Sequence, residues 1–202
     1  MSRAAFAKRF PEDRACALPL AAVRWPNGFV CPACGDVKGR ELSGKKFTWE
    51  CAKCGRQTSV TAGTVMHRSK LPLTTWFIAI HLVSSHSNGI SALQLQTQLG
   101  LGSYKTAWLM LQKLRRAMVD PHHSQLADLV LLPWIHRVFA NFKRWAMGTF
   151  HGVRKVHLHR YLDEFVYRWN RRRHVLAAFD TLLGLVMELR HASYRDFVAQ
   201  QV

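Results

Sequence analysis

Acidic residues are scarce in this 202-residue chain, which has 12 Asp and Glu against 29 Lys and Arg. This scarcity argues against a site in which several carboxylates bind metal ions together. The formal net charge of +17 indicates a polyanionic partner. We expect that partner to be double-stranded DNA.

Long apolar runs are missing as well. The longest, around residues 76–83, is far too short to cross a bilayer, so no membrane partner is expected. Charged residues interrupt the first 27 positions, and no signal peptide is visible there. The sequence therefore predicts a cytoplasmic, nucleoid-associated protein. Because that compartment is reducing, paired cysteines in it favour a metal ion over a disulfide.

Four of the five cysteines form two C-x2-C pairs, in CPACG at 31–35 and in CAKCG at 51–55. Two such turns can supply four thiolates in a tetrahedron around Zn²⁺. The spacing thus predicts a closed, structural zinc site made by Cys31, Cys34, Cys51 and Cys54. The alternative is four buried cysteines without a metal. Cys16 is left over and is expected to be a small buried apolar residue.

The residues around these pairs predict a zinc ribbon over 26–66. Polar and apolar side chains alternate at 46–50, and 57–61 is rich in residues that favour strands, so these two stretches can pair. A helical lead-in, residues 1–25, precedes the ribbon. Such a small module has little core, and zinc is expected to supply much of its folding free energy.

A helix-turn-helix-like pattern follows within residues 71–119. Helices are predicted from about residue 72 to 85, from 92 to 99 and from 104 to 118. Ser91 and Ser103 are the expected caps of the second and third helix, and residues 100–102 form the turn between them.

The third of these helices is basic and has no acid, which makes it the candidate recognition helix. We expect Tyr104 and Lys105 to lie near base edges, and Lys113, Arg115 and Arg116 to contact phosphates. The alternative is an ordinary helical hairpin with a solvated basic face.

The C-terminal part, residues 133–202, is predicted to form three more helices, after a joint at 120–132. Basic residues outnumber acids in it and indicate a face that follows phosphates. Its candidate contacts are Lys143, Arg144, Arg171, Arg172 and Arg173. A plain solvated surface is the alternative. Overall, the sequence predicts a mainly α fold with a small N-terminal β ribbon.

Two parts of the chain resemble a known family. RWPNGFVCPACG (24–35), the ribbon and KLRRAM (113–118) resemble the N-terminal half of zinc-ribbon insertion-sequence transposases. HRVFANFKRWAMGTFHGV (136–153) and HLHRYLDEFVYRWNRR (157–172) resemble their C-terminal end. The resemblance implies a DNA transposition enzyme whose RNase H-like domain holds Mg²⁺ with two Asp and a Glu or Asn.

The chain departs from that family between the two matched parts. A long catalytic domain lies there in the family, whereas this chain has only about a dozen residues, which include Asp120 and Asp128. No β-rich stretch follows residue 66, so the RNase H-like sheet is expected to be largely absent, as after an internal deletion. We expect no bound Mg²⁺ and an enzyme that is inactive alone. Asn141 or His136 aligns with the third metal-binding position.

Four functions follow as hypotheses. The first is an inactive transposase derivative that binds insertion-sequence ends, as a homo-oligomer or together with an intact transposase. The second is a DNA-binding regulator built on the ribbon and the helix-turn-helix. The third is a non-functional remnant. The fourth, an active enzyme of another class, has no nucleophile elbow or phosphate-binding glycine loop to support it.

Overall fold

The computed structural model describes residues 3–45, 47–86, 88–119, 135–150, 152–171 and 177–198. Within this part of the chain the fold is mainly helical, with one small antiparallel sheet near the N-terminus, as predicted. The helices are α1 (Arg3–Arg9), α2 (Asp13–Arg24), α3 (Leu73–Ser85), α4 (Ala92–Leu99), α5 (Tyr104–Ala117), α6 (Ile135–Thr149), α7 (Leu158–Arg171), α8 (Ala178–Glu188) and α9 (Tyr194–Val198). The predicted joint at 120–132 lies outside the described residues.

The chain divides into two compact units. The first comprises Met1–Phe77 with Val186–His191, and the second comprises Ile78–Leu185 with Ala192–Val202. The ribbon lies in the first unit. Helices α4 and α5 lie in the second, together with α6, α7 and α9.

The sheet of the first unit has the order β1-β2-β3. Its strands are β1 (Gly39–Glu41), β2 (Thr48–Cys51) and β3 (Gln57–Ser59). Antiparallel pairing places Arg40 opposite Glu50 and Glu50 opposite Gln57. β2 lies where alternation predicted a strand, and β3 lies where strand-favouring residues predicted one. β1 was not predicted.

The helices of the first unit share a small core around α2. Cys16 and Leu20 are fully buried there, and Phe10 packs edge-on against Phe77 with 4.8 Å between ring centroids. Asp13 accepts hydrogen bonds from the backbone N–H and the hydroxyl of Thr74, at 2.9 and 3.0 Å. This carboxylate satisfies a free N–H in the first turn of α3.

The start and end of α4, and hence the turn to α5 in the second unit, are determined by residues next to them in the sequence. The Ser91 hydroxyl accepts from the Gln94 backbone N–H, and the Gln94 side chain accepts from the Ser91 N–H, which completes a capping box. Gly100 ends α4 in the left-handed conformation, with φ of 62°. A residue with a Cβ would be strained at that position, so the turn depends on this glycine.

Candidate functional site

The four paired cysteines come together in the ribbon. Their sulfurs all lie within 4.8 Å of one another, with 3.6 Å between Cys31 and Cys54 and 3.5 Å between Cys34 and Cys51. Zn–S bonds of about 2.3 Å place tetrahedral sulfurs about 3.8 Å apart. The cluster therefore fits the predicted structural Zn²⁺. Four thiolate ligands leave no open coordination position, so the ion would hold the ribbon together and carry out no chemistry.

The two halves of the cluster have the same backbone geometry. Gly35 donates its N–H to the Cys31 carbonyl and Gly55 donates to the Cys51 carbonyl, each at 3.0 Å. Both glycines have positive φ, 72° and 68°. The cysteine N–H groups are also used, since those of Cys31 and Cys51 bond to the carbonyls five residues further on. This repeat explains why C-x2-C-G occurs twice in the sequence.

Sulfurs this close cannot all ionise without a cation between them. The backbone N–H of Ala33 lowers the pKa of Cys31 to about 6. The backbone N–H of Asp36 acts in the same direction on Cys34, but loss of solvent and the neighbouring thiols raise the pKa of Cys34 to about 12. A divalent cation stabilises four thiolates together, so it removes the repulsion that otherwise keeps some of these thiols protonated.

Aromatic side chains support the ribbon next to the cluster. Trp25 packs edge-on against Phe29 and Trp49, with centroid distances of 5.1 and 4.9 Å. The Phe29 ring lies so close to Gly39 that a Cβ there would approach it to 2.4 Å. Arg24 joins α2 to the end of the ribbon by donating to the carbonyls of Val60 and Ala62.

The ribbon also presents basic side chains that sequence reasoning did not single out. Lys38, Lys53 and Arg56 are exposed, and Lys53 lies between the two cysteines of the second pair. Their positions next to the cysteine turns are fixed by the fold of the module. The only signal in the sequence is their closeness to the C-x2-C pairs.

The candidate recognition helix α5 presents some of its predicted contacts and buries others. Tyr104 is 53% exposed, and Lys105 is exposed with its ammonium over the Tyr194 ring. Lys113 and Arg115 are only 7% and 2% exposed. Little of these two side chains is thus accessible to a phosphate, and their predicted contacts stay a prediction. Arg116 is half-buried.

Arg115 is instead part of a buried ion-pair network that joins three helices. Its Nε donates to Glu164 Oε2 at 2.7 Å, and Arg168 Nη2 donates to Glu164 Oε1 at 2.8 Å. Arg168 Nη2 also donates to the Val83 carbonyl near the end of α3, at 2.7 Å. Burial alone would raise the pKa of Glu164, but the two guanidinium groups lower it overall. Sequence reasoning missed this network because Arg115 and Val83 are distant in the chain from their partners Glu164 and Arg168.

Two of the predicted contacts in the C-terminal helices are exposed. Lys143 and Arg144 are both accessible on α6. Arg171 lies over the Tyr167 ring, 4.2 Å from its centroid, at the end of α7. Arg172 and Arg173 lie outside the described residues. Of the candidate remnants of a metal site, Asn141 is half-buried, and the side chain of His136 lies outside the described part of the chain.

No helix among the described residues is both long enough and apolar enough to cross a membrane.

Comparisons with known proteins match both parts of the chain. Residues 11–57 match a transposase zinc-ribbon domain, and residues 105–170 match an ISXO2-like transposase domain. An uncharacterized protein in transposable element ISH50 of Halobacterium salinarum is 32% identical over 116 residues, which is 56% of this chain. The chain spans 38% of the length of that relative. No solved structure matches the chain. In both of these parts the chain is therefore similar to zinc-ribbon insertion-sequence transposases.

Proposed function

We propose that this protein binds double-stranded DNA at insertion-sequence ends and does not itself catalyse transposition. The observation that carries the proposal is the four-cysteine cluster, which lies beside exposed basic side chains. The chain that holds it matches transposase domains over residues 11–57 and 105–170. The limited coverage of the relative fits a shortened transposase. A protein that binds DNA in this way would be found with the nucleoid.

The zinc ribbon supplies the first contact. Zn²⁺ bound by the four thiolates would lock the two turns and thereby fix the backbone that carries Lys38, Lys53 and Arg56. Such cations neutralise phosphates and position a protein on the duplex without reading its sequence.

The start of α5 supplies a second contact, since Tyr104 and Lys105 are the predicted residues that this helix leaves accessible at its N-terminus. Residues at the start of a recognition helix are the ones that reach base edges in helix-turn-helix proteins. Lys143 and Arg144 on α6 are proposed as further phosphate contacts, because both are exposed.

The proposed lack of catalysis rests on the ion pairs that acidic side chains of the second unit form with arginines. Two-metal phosphoryl transfer needs several carboxylates that converge on the ions. Glu164 is paired with Arg115 and Arg168, and Asp163 lies 3.8 Å from Arg160. Among the described residues, the cysteines are the only cluster of three or more potential ligands placed to hold a metal. Asp120 and Asp128 lie outside the described part.

We further propose that the protein associates with a second copy or with an intact transposase. Large apolar side chains are exposed on α6 and α7, among them Phe139 at 60% and Met147 at 68%. Exposed apolar surface of this kind is a common feature of association surfaces. Light scattering of the purified chain, alone and mixed with an intact relative, tests this. A strict monomer under both conditions would refute it.

A gel shift tests the DNA-binding proposal. The ligands are the terminal repeats of a related intact element and a scrambled duplex of equal length, with and without a zinc chelator. We expect a chelator-sensitive preference for the terminal repeats. Equal binding to both duplexes would refute recognition of element ends, and a preference for a promoter over the repeats would favour the regulator instead.

A strand-transfer assay tests the proposed inactivity. The chain is incubated with cleaved element ends, target DNA and Mg²⁺ or Mn²⁺, with an intact relative as the positive control. We expect joined product from the intact relative alone. Joined product from this chain would refute the proposal.

A further inference from the structure

A concave pocket of about 490 Å³ opens in the second unit, where the start of α5 meets α9 and the turn that precedes α7. Its volume falls within the range of about 300–1,000 Å³ that small-ligand sites occupy. The side chains that matter are Lys105 and Trp108 from α5, Arg154 and His157 from the turn, Tyr161 from α7 and Tyr194 from α9.

Aromatic rings form one wall of the pocket. Trp108 lies edge-on to Tyr194 with 5.9 Å between centroids, and edge-on to His157 with 5.4 Å. Tyr161 completes this wall, and the Arg115 guanidinium lies over its ring at 4.3 Å. Trp108, Tyr161 and Tyr194 all remain partly accessible. Accessible aromatic rings favour a flat, unsaturated ligand that can stack on them.

Positively charged side chains lie at the rim of the pocket. Lys105 and Arg154 are both exposed, and the Lys105 ammonium lies 4.0 Å from the centroid of the Tyr194 ring. No Asp or Glu is among the described residues that line the pocket. Burial and nearby cationic groups lower the pKa of His157, which favours its neutral imidazole. The ligand that fits this charge pattern is an anion.

We infer that the pocket binds one unpaired nucleotide of DNA, with the base against the aromatic wall and its phosphate between Lys105 and Arg154. A base inside a duplex exposes only its edge, whereas stacking on a protein ring needs the face of the base and hence its removal from the stack. The inference deepens the proposed function and rests on it, because Lys105 also lies at the start of the proposed recognition helix.

Fluorescence anisotropy of labelled DNA tests the inference with the full chain. One ligand is a blunt duplex, and the other is the same duplex with a single unpaired thymidine. Since stacking on an aromatic ring changes affinity by about five- to 150-fold per base, we expect tighter binding of the second ligand by a factor in that range. Tyr194→Ala should abolish the preference and leave blunt-duplex affinity within about twofold.

Two variants separate loss of the ring from loss of the fold. Tyr194→Phe keeps the ring and should keep the preference. Leu93→Ala removes an exposed apolar side chain from α4 in the same unit and should change nothing. Equal binding of the two duplexes by the wild type, or a preference that survives in a folded Tyr194→Ala variant, would overturn the inference. Absence of binding to either duplex would instead refute the proposed function.

Thymidine monophosphate distinguishes a nucleotide within DNA from a free one. If the pocket serves DNA, millimolar mononucleotide should reduce the preference for the unpaired thymidine without releasing the blunt duplex. Saturable binding of the mononucleotide by a chain that shows no such preference would overturn the assignment to DNA.

Discussion

Arg115 and Glu164 form a buried ion pair between α5 and α7, with 2.7 Å from Nε to Oε2 and side chains only 2% and 1% exposed. Arg168 shares the same carboxylate from the next turn of α7. One carboxylate therefore balances two guanidinium groups at the centre of the second unit. Buried ions of this kind are costly to leave unpaired, so the network makes the packing of α5 on α7 depend on Glu164.

Replacing Glu164 with Gln should destabilise the second unit severely. The amide keeps the shape of the side chain but leaves the buried Arg115 and Arg168 without a counter-charge, which costs about 3–5 kcal/mol. Urea unfolding followed by tryptophan fluorescence at pH 7 measures the change. Glu188→Gln, at an exposed position of α8, is the control and should stay within about 0.5 kcal/mol of the wild type. Equal stability of the two variants would contradict the prediction.

The same carboxylate predicts a loss of stability in acid. Because the folded-state pKa of Glu164 is lowered below the unfolded value of about 4.3, its contribution is present above that value. The contribution is then lost as the pH falls through the folded-state pKa. The urea midpoint of the wild type should therefore fall between about pH 5 and pH 3 more steeply than that of Glu164→Gln. Parallel pH profiles of the two proteins would show that Glu164 does not cause the loss.

Local signals were enough to predict several elements from sequence. The predicted bounds of α4 agree with the structure, because the Ser91 capping box and Gly100 mark its two ends within a few residues. The cysteine cluster was predictable for a similar reason, since each C-x2-C-G turn makes its own hydrogen bonds. At such sites, the spacing of residues in the sequence largely determines their geometry in the folded chain.

Features that depend on distant contacts were not predictable. β1 has no apolar alternation, and it forms because its backbone pairs with β2. Arg115 looks in the sequence like any other basic residue of α5, and its partner is 49 residues further along the chain. Tyr194 comes from the short helix α9, which no periodicity indicated. To predict each of these features, one would need to know which helices and strands are in contact in the folded chain.

Replacing Cys51 with Ser should remove the zinc ion and unfold the ribbon. Cys51 is buried and supplies one of the four sulfurs, and so small a module depends on the metal for its folding. Zinc released on thiol modification should fall from about one equivalent to none. Cys16→Ser should retain the metal, because Cys16 lies in α2 and outside the cluster. Full zinc content in Cys51→Ser would contradict the assignment of the site.

The salt dependence of DNA binding should separate exposed from buried basic residues. Each phosphate contact contributes about 0.9 to the slope of log Kobs against log salt concentration. Replacing the exposed Lys143 and Arg144 together with Ala should therefore reduce that slope by about 1.8 if both contact phosphates. Lys113→Met makes the matched comparison. It also removes a positive charge from the second unit, but its side chain is only 7% exposed, so the slope should stay unchanged. A reduction of about 0.9 in Lys113→Met, half of that in the double variant, would mean that net charge alone sets the salt dependence. The placement of these side chains on the fold would then have no part in it.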